Sequence, residues 1–268
     1  ELLKGIIVQS GNDASVALAE YISGSEEVFA NQMNEHARRL GMTDSHYTNS
    51  TGLPHEQHYT TARDLAILAQ ALIRDFPEIY EWHSIREFTY NKIKQSNRNN
   101  LLWRDSSVDG IKTGHTEAAG YCLVASARRN NMRLISVVMG ADGSEPRIKA
   151  SQSLLNYGFR FYETHKLYSS REVITSVRVW KGEVDQLELG LGEDLYVTVP
   201  RDQYKNLNAE VEKTGHIIAP VSKDSQQGIL KVSLAGKEIL KIPVIALHDV
   251  GEGTLFKRFK DKVKLLFE

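Results

Sequence analysis

The sequence is short of cysteine, of long apolar runs and of net charge. Cys122 is its only cysteine, so no internal disulfide can form, and its position in an apolar stretch predicts a small core residue. No apolar run approaches the roughly 20 residues that cross a bilayer, and no signal peptide opens the chain. With 33 basic and 34 acidic residues, the formal charge of −1 provides no overall field to attract nucleic acid.

The 268 residues are 41% hydrophobic, enough for a sizeable core in one large or two smaller domains. Helical and strand patterns are mixed up to about residue 165, with a strand predicted over 88–93, a hairpin of 121–127 with 132–140, and a helix over 148–157. Short alternating runs then predict a small all-β domain over 166–252. We therefore expect an α+β fold followed by a β-rich domain and a separate tail, 253–268.

The most distinctive stretch is 108–115, which contains Lys112, Thr113 and Gly114 in a row. A cation, a hydroxyl and a residue without a side chain can hold a carboxylate-ended peptide against a strand edge. Lys-Thr-Gly alone is common and also fits a plain turn before a strand. A phosphate-binding loop is excluded because Ile111 stands where that pattern needs glycine. Upstream, Ser10-Gly11-Asn12 lies between two helical patterns, and this pair of motifs is typical of serine penicillin-recognising enzymes.

Other polar residues give weaker signals. His46, His55 and His58 lack the spacing of metal-binding motifs, so we expect neither a metal site nor a cofactor. Arg98 lies in an asparagine-rich turn shortly before Lys112 and fits a solvated turn residue as well as a functional one.

The tail, residues 255–267, has phenylalanines and other apolar residues on one helical face and lysines mostly on the other. Such a helix lies in a membrane interface, with its lysines meeting anionic headgroups. The alternative is a helix docked on its own protein. We favour membrane attachment because no later segment covers the phenylalanines.

Over essentially its whole length the chain resembles the D-alanyl-D-alanine carboxypeptidases of the low-molecular-mass penicillin-binding protein class. The resemblance rests on residues 7–14, 62–64, 97–99, 108–115 and 157–161, the β domain and the tail. It implies a serine β-lactamase/penicillin-binding (transpeptidase-like) domain, a β-rich stalk and an anchor on the outer face of a bacterial inner membrane, in the periplasm. It also implies a peptidoglycan stem peptide and β-lactam antibiotics as partners, with no nucleic acid.

The resemblance also implies roles for individual residues. As catalytic residues, Ser10 would relay protons, Asn12 would orient the substrate amide, and Lys112 would act at the carboxylate. The substrate-binding residues would be Thr113, Gly114, His115, Arg98 and Arg147. Of the two arginines, Arg98 is the better candidate for contacting the carboxylate, since Lys112 follows it closely.

One departure from the family pattern concerns the nucleophile. The first family motif is Ser-x-x-Lys, which supplies the attacking serine and its base, and no serine here has lysine three residues on. We expect this motif to precede Glu1, so the chain is either N-terminally incomplete or catalytically inactive. A class A β-lactamase is disfavoured because Gly11 stands in place of aspartate. A non-catalytic peptidoglycan-binding or scaffolding protein is the alternative from another class.

Overall fold

The structure is a computed structural model that describes residues 1–213 and 215–267. Its chain divides into two compact units, residues 1–160 and 161–268. Among the described residues, no helix combines the length and apolar character that a bilayer crossing requires.

Unit 1 mixes helices with a three-stranded antiparallel sheet and a small hairpin. Its helices are α1 (Leu2–Gln9), α2 (Asn12–Ser23), α3 (Glu26–Leu40), α4 (Ala62–Asp75), α5 (Pro77–Tyr80), α6 (Leu101–Arg104) and α7 (Ser144–Phe161), with a 3-10 turn at Glu81–Ser84. Its strands are β1 (Glu87–Tyr90), β2 (Ile93–Ser96), β3 (Val108–Thr116), β4 (Gly120–Arg129) and β5 (Met132–Ala141).

Helix starts in unit 1 follow from local hydrogen bonding. Ser25 Oγ accepts from the Val28 N–H at the start of α3, and Thr61 Oγ1 accepts from the Asp64 N–H at the start of α4. Each hydroxyl satisfies an amide that has no partner inside its helix. Helix α4 packs on the sheet through Ala69, which lies in one apolar cluster with Tyr80 and Ile111.

The central sheet has the order β3-β4-β5, so β3 is an edge strand. The predicted hairpin is confirmed: β4 pairs with β5, from Tyr121 opposite Ala141 to Arg129 opposite Met132. The single strand expected over 88–93 is wrong, because β1 and β2 form a hairpin that turns at Asn91 and Lys92, whose φ angles are 46° and 66°. The helix expected over 148–157 is longer at both ends, spanning Ser144–Phe161.

Unit 2 is β-rich. Its strands are β6 (Tyr162–Tyr168), β7 (Thr175–Trp180), β8 (Gln186–Gly190), β9 (Leu195–Pro200), β10 (Leu207–Lys213), β11 (Ile217–Ile218), β12 (Gln226–Leu234) and β13 (Lys237–Ala246), with a 3-10 turn at Tyr204–Asn206 and a final helix α8 (Leu255–Lys264). Six strands form one sheet in the order β10-β12-β13-β8-β7-β11, and β6 pairs with β9.

Alternate residues of the unit 2 strands build its core. Leu187 and Leu189 of β8, Leu230 of β12 and Val244 of β13 are completely buried together. A period of two along each strand places these side chains on one face, and burial of each stabilises the unit by roughly 1.5–3 kcal/mol.

Candidate functional site

Ser10 occupies the junction between α1 and α2. It ends α1 in the left-handed region, with φ 58° and ψ 46°, and its N–H donates to Ile6 O. Gly11 follows as the residue before α2, and Asn12 is the first residue of that helix, with an exposed side chain. A left-handed serine costs about 1–2 kcal/mol relative to ordinary backbone geometry. This strain is concentrated at the residue that presents its hydroxyl to β3.

Lys112 lies in β3 and meets Ser10 directly. Its Nζ donates to Ser10 Oγ and also to Thr113 O, the latter at 2.9 Å. The two motifs, 102 residues apart in the sequence, are therefore brought together at one point.

Burial lowers the pKa of the Lys112 ammonium to about 8, and the positive charges of Arg98 and Arg147 act in the same direction. All of the charges that perturb Lys112 are positive. An anion bound beside it would therefore be attracted by three cations at once.

Arg98 is held against the α1–α2 junction. Its Nε donates to Gln9 O at 2.9 Å and its backbone N–H donates to Val8 O. The flanking Asn97 and Asn99 are buried, and their amides donate to Ile85 O and Gly110 O. Two anchored asparagines thus place an exposed guanidinium next to the residue that precedes Ser10.

Arg147 lies in the first turn of α7, and its side chain is buried. Its Nη1 donates to Gly114 O and Cys122 O, each at 3.2 Å. These carbonyls belong to directly opposite residues of β3 and β4. Arg147 therefore links β3 to β4 by hydrogen bonds at the position of Gly114.

The rest of the Lys-Thr-Gly stretch continues along β3. A Cβ at Gly114 would lie 3.7 Å from Cys122 Cβ, an ordinary contact, so packing within the protein does not demand glycine there. His115 is exposed and its ring lies 4.0 Å from that of Tyr121. Both rings line a cavity of about 410 Å³ that extends to Gly140 and Asp142.

Several residues that support the site have no motif to identify them in the sequence. His83 is buried and its Nδ1 donates to Ile111 O at 2.9 Å, while burial lowers the pKa of its imidazole. The Asp109 carboxylate accepts from Tyr80 OH at 2.6 Å and pairs with Arg133 at 2.7 Å. These bonds hold the backbone immediately before Lys112.

The three loop histidines make local contacts. His46 Nδ1 bonds to Gln57 O at 2.6 Å, and His58 Nδ1 lies 3.2 Å from Thr48 Oγ1. In the described part of the chain, no group of three or more histidine, cysteine or acidic side chains is arranged to hold a metal ion.

Comparison with known proteins follows the two units. Residues 1–143 match the family described as D-alanyl-D-alanine carboxypeptidase, and residues 162–252 match the C-terminal domain of penicillin-binding protein 5. The chain belongs to the D-alanyl-D-alanine carboxypeptidase family.

Particular relatives cover the whole chain. It is 46% identical over 269 residues to D-alanyl-D-alanine carboxypeptidase DacC of Escherichia coli K12, covering 100% of this chain and 67% of that protein. DacA of the same strain is 43% identical over the same shares. The crystal structure of penicillin-binding protein 5 from Haemophilus influenzae superposes with a TM-score of 0.86 at 42% identity, over 94% of this chain and 74% of that one.

Proposed function

We propose that the chain is the substrate-binding part of a serine-type D-Ala-D-Ala carboxypeptidase. The enzyme removes the terminal D-alanine from peptidoglycan stem pentapeptides through an acyl-enzyme, and β-lactams acylate the same serine. The observation that carries this proposal is the contact between Lys112 Nζ and Ser10 Oγ, which joins the second and third family motifs.

The charges around β3 support binding of a terminal carboxylate. Burial and the positive charges of Arg98 and Arg147 lower the pKa of Lys112, and Arg98 lies on the Ser10 side of the same place. A carboxylate at this position would receive charge-assisted hydrogen bonds from groups already held in position. As β3 is an edge strand, the backbone of an extended peptide can add beside it.

The Ser10–Lys112 pair supports a proton relay to the leaving D-alanine. Lys112 donates to Ser10 Oγ, so the hydroxyl proton of Ser10 is directed elsewhere. Ser10 can give that proton to the departing amine and recover one from Lys112. A pKa of about 8 makes the ammonium a useful acid near neutral pH.

The attacking serine has to come from a Ser-x-x-Lys motif, which residues 1–268 do not contain. We propose that the whole gene product supplies it. Labelling that product with a fluorescent penicillin decides between the two functions: a covalent band supports the carboxypeptidase, whereas none would support the non-catalytic peptidoglycan-binding protein.

Substitution of Lys112 tests the carboxylate assignment. In the whole gene product, Lys112→Ala should lower the rate of acylation by penicillin by about 10²–10³, because the stabilising cation is lost where negative charge is bound. Lys149→Ala, at an exposed lysine of α7, is the matched control and should keep the normal rate. An unaltered rate in Lys112→Ala would rule out this role.

We also propose that the protein lies in the bacterial periplasm, attached through α8 to the outer face of the inner membrane. The apolar side of α8 supports this, since Phe256 and Phe259 are 79% and 69% exposed. Asp261, on the other side of the helix, is buried and accepts from the Lys181 N–H at 2.8 Å. The helix is therefore docked through its polar side and turns its aromatic side outward, as an interfacial anchor requires.

A further inference from the structure

Unit 2 contains a cavity between α8 and the β7–β8 hairpin. Its volume is about 530 Å³, and its walls include four cationic side chains and the aromatic ring of Phe256. The four cations are Arg178, Lys257, Lys260 and Lys264. The stem-peptide site proposed above uses none of these residues.

The two carboxylates of the cavity balance only part of this charge. Lys257 pairs with Asp185 at 3.0 Å, and Arg178 lies 3.8 Å from Asp261. Within residues 1–213 and 215–267, Lys260 and Lys264 have no carboxylate partner. The Lys257 hydrogen bond and charge lower the pKa of the Asp185 carboxyl, and the charges of Arg178 and Lys260 add to this effect. The local field is therefore positive.

Arg178 is preorganised on the sheet side of the cavity. Its guanidinium carbon lies 3.7 Å from the centre of the Trp180 ring, so the side chain is held over an aromatic surface. A stacked guanidinium loses little further conformational freedom when it binds an anion.

The position of the lysines around α8 determines how deep in a membrane interface the cavity would lie. Lys257, Lys260 and Lys264 are spaced i, i+3 and i+7 and lie on one side of the helix, between the docked Asp261 and the exposed Phe256. If the aromatic side enters the acyl region of a bilayer, this row lies at the level of the headgroups.

We propose that this cavity binds the phosphate of an anionic phospholipid headgroup. The inference rests on the membrane attachment through α8 proposed above and adds a defined site to it. Lys260, Lys264 and Arg178 surround the phosphate oxygens from two elements of the fold, and Phe256 lies beside the start of the acyl chains. Lys262, outside the cavity and also exposed, contributes only general attraction.

Binding to lipid vesicles distinguishes a defined headgroup site from general electrostatic attraction to an anionic surface. Partition is measured on phosphatidylcholine vesicles with and without phosphatidylglycerol for the protein and for Lys264→Gln, Lys262→Gln and Phe259→Ala/Leu266→Ala. The two lysine variants lose the same charge from the same helix. We expect Lys264→Gln to reduce partition onto phosphatidylglycerol vesicles at least threefold more than Lys262→Gln, with equal partition on neutral vesicles showing that both are folded.

Arg178→Gln extends the test to the sheet. Its effect on phosphatidylglycerol vesicles should match that of Lys264→Gln, whereas Lys241→Gln, on β13 and outside the cavity, should have little effect. Equal losses for Lys264→Gln and Lys262→Gln would overturn the headgroup site while leaving membrane attachment intact. Unchanged binding of Phe259→Ala/Leu266→Ala to both vesicle types would overturn the attachment itself, and the site with it.

Discussion

At the scale of single residues, the protonation state of Lys112 gives a testable prediction. Its pKa is lowered to about 8, so the ammonium is charged below that pH and becomes neutral well before an ordinary lysine would. If the charge binds the substrate carboxylate, acylation of the whole gene product by an anionic penicillin should fall about tenfold per pH unit above pH 8. Stopped-flow acylation between pH 6 and 10 measures this decline.

Lys112→Arg is the control for that pH profile, and Lys112→Met tests the same pKa through the stability of the protein. Lys112→Arg keeps its charge throughout the range, so its rate, although lower, should not decline near pH 8. In Lys112→Met, the unfolding free energy should lack a rise with pH that the parent protein shows between about 8 and 10.5. In that window the folded parent binds fewer protons than its unfolded state, which favours folding as pH rises. A decline at pH 8 shared by Lys112→Arg would assign the titration to another group.

Backbone strain at Ser10 gives a stability prediction. Its φ of 58° suits glycine, so Ser10→Gly should be about 1 kcal/mol more stable than Ser10→Ala in urea unfolding. Ser15, in the interior of α2, is the matched control. There the order should reverse, with alanine more stable by about 1 kcal/mol. The same order at both positions would contradict strain at Ser10.

At this scale the sequence predicts candidates but not their contacts. Short motifs and the family resemblance predict Lys112 and Ser10 as site residues, and the structure brings the two side chains together. Arg147, for which the resemblance implies only a place beside the cleft, lies in the first turn of α7. His83 could not have been found, because a buried histidine that donates to a strand carbonyl leaves no pattern in the sequence.

Among the elements, α8 carries one buried carboxylate, Asp261. Asp261 is 4% exposed and accepts the Lys181 N–H, so Asp261→Ala leaves a partly buried donor without this partner. We expect unit 2 to lose about 1–3 kcal/mol and the amides of α8 to exchange faster. Hydrogen exchange read by mass spectrometry measures both effects, and Lys262→Ala, on the exposed side, should change neither. Normal protection in Asp261→Ala would show that other contacts dock the helix.

Elements were predictable where the side-chain period was clear. The β4–β5 hairpin has apolar runs on both sides of a polar turn. In the β1–β2 hairpin only Asn91 and Lys92 separate two short strands, and the sequence there predicts one strand instead of two. In strand β6 that period is absent, because every residue except Lys166 is half-buried.

For the whole molecule, removal of the tail tests attachment. Deleting residues 255–268 should move the protein from the membrane to the soluble fraction, because the exposed phenylalanines are removed. Fractionation followed by penicillin labelling of the whole gene product makes the measurement. The soluble form should still be labelled, since unit 1 carries the candidate site. Continued pelleting with membranes would place the attachment elsewhere.

The general architecture could be predicted because two different patterns occupy two parts of the sequence. Mixed helical and strand periods give way to short alternating runs, and the structure has a mixed unit followed by a β-rich unit. The convergence of residues 102 positions apart could not be deduced from periodicity, because it depends on how α1, α2 and β3 pack. The resemblance supplied that part of the prediction.

The hydrogen bond from the Lys181 N–H to Asp261 turns one defined side of α8 toward the β-rich unit. A helix joined to its domain by a flexible linker could bind a flat surface while the domain took any orientation. In this protein the exposed aromatic side of α8 has a fixed direction relative to the β-rich unit, so the proposed attachment would also set the orientation of that unit.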